Sequence, residues 1–335
     1  MTFRSSWDTS NNIFAGLHGG DNSAGHGDLD IGNFVINVNG VFMIDELGND
    51  AYNVAGYFEN TYRWSYYRKR TEGQNCLVMI GHGDSWNDKT GRPEYYIDAN
   101  NNVVKEPEKA KYVVSKGKKY NLTASNGIGT VVDENYGNTH INLPDPNYYG
   151  QKLTAVSRAT AFESGVSSAY GVVDMKPAYA AAKGDMIRGL YMTNNRSTVV
   201  IQDEGTFNAY QDIWWFAHTR GEITVSADGS SAIIFRDGIY LYAEIVVDPN
   251  NPIDAKFSTM DWESLDENYV GDTVKSGLYV TETEVVRDGK KLVVTAENTK
   301  VFNCAVAFKQ IQSLQDVPEK GTIYTWTAIK DWKAE

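Results

Sequence analysis

Asn33-Phe34-Val35-Ile36-Asn37-Val38-Asn39-Gly40-Val41-Phe42-Met43-Ile44-Asp45 is the stretch on which the reading of the fold turns. Successive side chains of a strand point to opposite faces, so Phe34, Ile36 and Val38 share one face of an extended segment. Asn39-Gly40 supplies the two residues that tolerate positive φ in a two-residue hairpin loop. Val41 to Asp45 then returns as the partner strand. The expected cross-strand pairs are Val38 with Val41, Ile36 with Met43, and Phe34 with Asp45. A hairpin with an apolar face is marginal alone and needs a second layer to cover it.

The rest of the chain repeats this pattern. Short β-branched and aromatic runs alternate with turn residues at Thr198–Gln202, Ile213–His218, Glu222–Ser226, Ala232–Phe235, Ile239–Val247, Tyr279–Val286 and Leu292–Ala296. Asp228-Gly229 and Asp288-Gly289 each separate two such runs, as hairpin turns do. Helical periodicity is confined to Pro177–Lys183, with Pro177 placed for a first turn. These signals predict an all-β fold, a large antiparallel two-sheet β-sandwich of the supersandwich type with very little helix. The polar stretch Asp84–Lys119 reads as an excursion from the sheets, a rim loop. Asp248-Pro249-Asn250-Asn251-Pro252 marks a shift in composition. Residues 1–247 are expected to form the main sandwich, and 248–335 either further strands of it or a small C-terminal β unit.

Composition narrows the function. The chain has 335 residues and a formal net charge of −12, which argues against nucleic-acid binding. The same charge repels acidic polymers unless positive groups gather locally, as Arg63, Arg68, Lys69 and Arg70 do. The basic run Arg68-Lys69-Arg70 reads either as a solvated edge that guards against aggregation or as a contact for acidic groups. No apolar run of membrane-spanning length occurs, and the first residues carry no apolar segment of a signal peptide. Cys76 and Cys304 lie in apolar strand-like contexts and read as buried thiols. The 21 tyrosines and 8 tryptophans suit either sugar stacking or ordinary β packing. Both readings stay open for the alternating run Tyr62, Trp64, Tyr66.

Just ahead of the hairpin, Gly25-His26-Gly27-Asp28-Leu29-Asp30 places one histidine and two carboxylates within five residues. Asp45 and Glu46 return to the same end. A histidine beside carboxylates suits acid/base chemistry or a metal shell. The plain alternative is a loop histidine that caps backbone groups, and Asp30 in particular reads as a turn residue bound to its own backbone. A bulge at the strand end would exchange the roles of Asp45 and Glu46. His18, before Gly19-Gly20, is within reach of the same cleft. His218, in the aromatic run Trp214–His218, reads as a satisfied core or edge histidine, and His82 and His140 as solvated ones.

The order of several short motifs resembles the start of the β-sandwich region of heparinase II/III-like polysaccharide lyases. The pieces are Arg4-Ser5-Ser6-Trp7, Gly19-Gly20, His26-Gly27-Asp28-Leu29-Asp30-Ile31-Gly32-Asn33-Phe34, Glu46-Leu47-Gly48 and Arg70-Thr71-Glu72-Gly73-Gln74-Asn75. Tyr170–Asp174, Arg188–Tyr191 and Trp214–Thr219 look like core strands of the same family. The resemblance implies an N-terminal α/α toroid followed by a β-sandwich, with this chain as the second part. His26 matches the family's catalytic histidine. Asp28, Glu46 and Gln74 fall at its metal-ligand positions, with Asp45 as the alternative to Glu46. Two of the three positions depart from the usual histidines: either the metal has changed, since an oxygen-only set suits Ca²⁺, Mg²⁺ or Mn²⁺ better than Zn²⁺, or the metal has been lost and a hydrogen-bonded network kept. Tyr62, Trp64, Tyr66 and Arg70 are the expected substrate contacts.

The function so implied is β-elimination on a uronic-acid-containing glycan, an acidic polysaccharide or oligosaccharide. The partner is an α/α toroid of the same protein, and the location secreted, periplasmic or at the cell surface. The alternatives are a non-catalytic glycan-binding module with a decayed site and part of a uronyl C5-epimerase.

Overall fold

The computed structural model describes residues 1–8, 11–49, 67–81, 95–100, 103–104, 109–115, 118–122, 128–133, 150–179, 184–262 and 289–335. Among these residues the strands pair antiparallel and helix is limited to short 3₁₀ turns. A four-stranded sheet is built from Thr2–Arg4, Ile13–Leu17, Phe34–Val38 and Val41–Ile44. The larger, ten-stranded sheet has two 22-residue strands, Thr198–Thr219 and Lys290–Ile311, paired along its middle. Ile239–Val247 and Lys256–Asp261 both pair with Lys290–Ile311, so strands from both sides of the Asp248–Pro252 composition shift share one sheet.

The apolar faces of the two sheets meet in a common core. Phe34, Ile36, Val38 and Met43 from the small sheet are buried with Leu190, Ile201, Trp215, Val306 and Phe308 from the large one. The Phe34 ring lies 5.4 Å from that of Trp215 and 6.4 Å from that of Phe308. Each such side chain removed from water contributes about 1.5–3 kcal/mol before entropy is counted. This is the two-sheet antiparallel sandwich that the alternating runs predict.

The hairpin differs from its predicted register in one respect. Asn39 and Gly40 take φ of 53° and 88°, the left-handed pair of the expected turn, and Val38 pairs with Val41. A bulge between Ile36 and Asn37 then pairs Ile36 with Ile44 rather than Met43. The extra residue lets Met43 and Ile44 both enter the core while Phe42 stays 46% exposed. Asp45 does not pair with Phe34; its N–H donates to His218 O at 2.8 Å, on the large sheet.

Two further expectations change. The stretch read as a rim loop contains Tyr95–Ile97, Val103–Val104, Tyr112–Ser115 and the start of Lys118–Leu122. Together with Ile128–Asp133 they make a five-stranded sheet. Pairs of β-formers such as Val113-Val114, spaced by turn residues, outweigh the polar average of the segment. The helix candidate is a turn over residues 176–179, and residues 180–183 lie outside the described residues. The predicted strand Tyr279–Val286 and the Asp288-Gly289 turn also fall, wholly or in part, outside them. Cys76 and Cys304 are buried free thiols, and burial raises the proton affinity of both.

Candidate functional site

The loop from His18 to Asn33 is pinned before it reaches the hairpin. His18 N–H donates to Asn33 O and Gly32 N–H to His18 O, both at 2.8 Å, closing the loop at its neck. Leu29 and Ile31 are fully buried anchors. Gln151 binds both backbone groups of Ile31, accepting from its N–H at 2.9 Å and donating to its carbonyl at 2.6 Å. Gly32 has φ of 87°, and a Cβ there would come within 2.5 Å of Met175 Cε, so backbone conformation and space both call for glycine.

Arg188 ties this neck to the large sheet. Its guanidinium meets Asp203 through Nε–Oδ1 at 2.8 Å and Nη2–Oδ2 at 2.9 Å, and its Nη1 donates to the carbonyls of Gly32 and Asn75 at 2.7 Å each. Both charged side chains are buried, which is tolerable only because the pair is bidentate and hydrogen-bonded. Sequence reasoning placed Arg188 in a core strand without giving it a role. The signal was present: one charge inside the apolar run Met186-Ile187-Arg188-Gly189-Leu190.

Behind the loop runs a buried polar chain. Gln74 accepts from Asn33 Nδ2 at 2.9 Å and donates to Arg68 O at 2.6 Å. Asn75 donates to the carbonyls of Phe34 (2.7 Å) and Asp45 (2.6 Å), which leaves its Oδ1 to accept from the His218 backbone N–H and ring. His218 therefore carries its proton on Nδ1, and Nε2 accepts from the Tyr67 hydroxyl at 2.9 Å. Burial and the nearby Lys291 hold its pKa well below the ordinary histidine value. His218 is a satisfied core histidine, as the aromatic run suggests.

On the open side the charges collect. Lys69 Nζ lies 2.5 Å from Asp28 Oδ1, and the Lys69 carbonyl accepts from Leu29 N–H at 3.1 Å. His18 Nε2 stands 3.6 Å from Asp30 Oδ2, close but too long for a direct hydrogen bond. Burial, with repulsion from Asp28 and Glu46, raises the Asp30 carboxyl to about 7, while burial lowers His18. Glu46 keeps much of its surface in solvent. Partial desolvation raises its carboxyl, and its carboxylate accepts from Gly48 N–H at 2.8 Å. Chemically, the arrangement holds a proton on Asp30 near neutral pH beside a neutral imidazole. His26 is exposed on a turn with φ of 67°.

The structure thus brings His18, Asp28, Asp30, Glu46 and Lys69 together, and separates others. Asp45 turns away from Asp28, accepting from Arg220 at 2.9 Å and Arg236 at 2.7 Å. Tyr62, Trp64 and Tyr66 lie outside the described residues, as do His82 and His140. The basic run is neither a solvated edge nor an open contact surface. Arg68 donates to the Leu47 and Asn49 carbonyls, Lys69 meets Asp28, and Arg70, 3% exposed, lies 3.3 Å from Glu72. The 3₁₀ turns at Tyr67–Lys69 and Thr71–Gly73 fold the run inward, where each cation has a local partner.

The expected cation site does not assemble from these side chains. Lys69 occupies Asp28, and both polar atoms of the buried Gln74 side chain are spent on Asn33 and Arg68. Among the described residues no group of three or more His, Cys, Asp or Glu is placed to hold a metal ion.

No protein-family model and no curated protein matches the chain. Solved structures do. A heparinase III structure superposes with a TM-score of 0.54 at 13% identity, over 97% of this chain and 37% of that one. The heparan sulfate lyase HepC from Pedobacter heparinus gives 0.54 at 13% identity, over 95% and 36%. A further heparinase III structure gives 0.52 at 12%, over 94% and 36%. This chain therefore spans little more than a third of the length of each, and at such identity the likeness is one of fold. Its fold is that of a β-sandwich part of the heparinase III chains.

Proposed function

We propose that this chain is the β-sandwich part of a polysaccharide lyase of the heparinase II/III-like kind, acting on a uronic-acid-containing glycan by β-elimination. The observation that carries the reading is the position of the exposed His26 loop: it leads into the edge hairpin of the four-stranded sheet, in a sandwich that shares the heparinase III fold. In β-elimination a base removes the proton α to the uronate carboxylate, the developing negative charge is stabilised, and an acid protonates the 4-linked oxygen as it leaves. His26 is assigned to proton transfer or charge stabilisation on the sandwich side of the cleft. Asp28 and Glu46 set the charge of the loop that carries it, and Gln74 holds that loop from behind. Tyr62, Trp64 and Tyr66 are assigned to sugar stacking. The remaining catalytic groups are assigned to an α/α toroid, and the location is outside the cytoplasm. No step runs through a metal ion.

A non-catalytic glycan-binding module is the second reading, favoured by the commitment of Asp28 and Gln74 to neighbouring side chains. The test is incubation with heparin, heparan sulfate, alginate and hyaluronan while following the ultraviolet absorbance of the unsaturated uronate product. Residues 1–335 alone are expected to give little or no product, and joined to their toroid to give it. Robust turnover by the sandwich alone would sink the half-site reading. Glycan binding without product from the joined form would favour the module.

A further inference from the structure

We propose that Lys69 is the resident cation of the Gly25–Gly32 loop, its ammonium standing where a divalent metal ion would otherwise neutralise the carboxylates. Three observations support this. Lys69 Nζ is 2.5 Å from Asp28 Oδ1, with the two side chains 4% and 16% exposed. The Leu29 N–H to Lys69 O bond fixes the 3₁₀ turn against the loop, so the lysine backbone is held beside the carboxylate that its side chain meets. Asp28, Asp30 and Glu46 act on one another electrostatically, and Lys69 offsets the charge on Asp30 and, after Arg68, on Glu46.

A divalent site needs several free, deprotonated donors converging on one point. Here one donor is already paired, and the amide at another ligand position is spent on a buried asparagine and a carbonyl. An ammonium is a compact charge with three donors, suited to bridge a carboxylate and its surroundings without a fixed coordination geometry. It supplies half the charge of a divalent ion. Lys69 would fill this role in a lyase and in a non-catalytic module alike, so the test needs no turnover.

The experiment is a Mn²⁺ titration followed by water-proton relaxation, paired with thermal melts in EDTA, on wild type, Lys69→Met and Lys69→Arg. Wild type is expected to show no saturable Mn²⁺ binding, and EDTA to leave its melting point unmoved. Lys69→Met removes the charge but keeps most of the volume. It is expected to melt lower by about 5–10 °C, from the loss of a largely buried pair, without acquiring tight Mn²⁺ binding, because among the described residues no three His, Cys, Asp or Glu are placed to hold a metal ion. Lys69→Arg should keep most of the melting point. Saturable binding by wild type that EDTA reverses would overturn the proposal. So would a Lys69→Met protein that melts like wild type. Should Lys69→Met fail to fold, Lys69→Gln carries the same titration, and the wild-type arm stands by itself.

Discussion

Asp30 shows how much a single carboxyl can be changed by its surroundings. Burial, then Asp28, then Glu46 raise it from 3.8 to about 7. Between those two values the folded chain holds a proton that the unfolded chain releases. Its contribution to stability is therefore full at low pH and lost as pH rises through about 7. Asp30→Asn, which cannot ionise, should melt several degrees above wild type at alkaline pH, and the gap should close toward pH 4. A melting series across pH checks this, and a variant less stable than wild type on the alkaline side contradicts it. Asp45 has a different role, because it anchors two arginines. Asp45→Ala strands Arg220 and Arg236, which are 31% and 21% exposed, so solvent screens part of the loss. The expected cost is about 1–3 kcal/mol in a urea melt. At this scale the sequence was only partly readable. His26 and His218 stood out by context, and Asp30 read as a turn residue bound to its own backbone, a bond it makes, whereas its burial did not show and Lys69 looked like one of three surface cations. Lys69 and Asp28 are 41 residues apart, and spacing along the chain does not show such a pair.

The elements were more legible than the links between them. Asn39-Gly40 announced its hairpin because few other residue pairs accept two positive φ values in succession. The bulge between Ile36 and Asn37 was not visible, since it follows from two adjacent apolar residues both finding room in the core. The 22-residue strand Thr198–Thr219 read as two separate runs because its middle, Asp203-Glu204-Gly205-Thr206, is polar. That polarity has a purpose: Asp203 is half of the buried pair that holds the loop neck. Arg188→Leu should cost about 3–5 kcal/mol, since it leaves Asp203 buried without its partner. Arg188→Lys should recover little of this, because an ammonium cannot span Asp203, Gly32 O and Asn75 O with one planar fork. Urea midpoints decide it, and a lysine variant equal to wild type would remove Arg188 from the account.

For the whole molecule, alternation along short runs was enough to give the antiparallel sandwich, because burial on one face imposes a period of two. The fold then matches a part of heparinase III chains at an identity too low to carry chemistry with it. What the sandwich adds is a loop pinned by Gln151 and Arg188 and charged by Asp28, Asp30, Glu46 and Lys69, with His26 at its exposed turn. The net charge of −12 adds a constraint of its own, disfavouring heavily sulfated chains in the absence of a positive cleft wall. The most direct test of the central claim is product formation from uronic-acid glycans by the toroid-joined protein, comparing wild type with His26→Ala. Wild type is expected to give unsaturated product, and the substitution to reduce it about 10²–10⁴-fold with the melting point unchanged. Equal turnover by the folded variant, or no unsaturated product from any of these glycans, would contradict it.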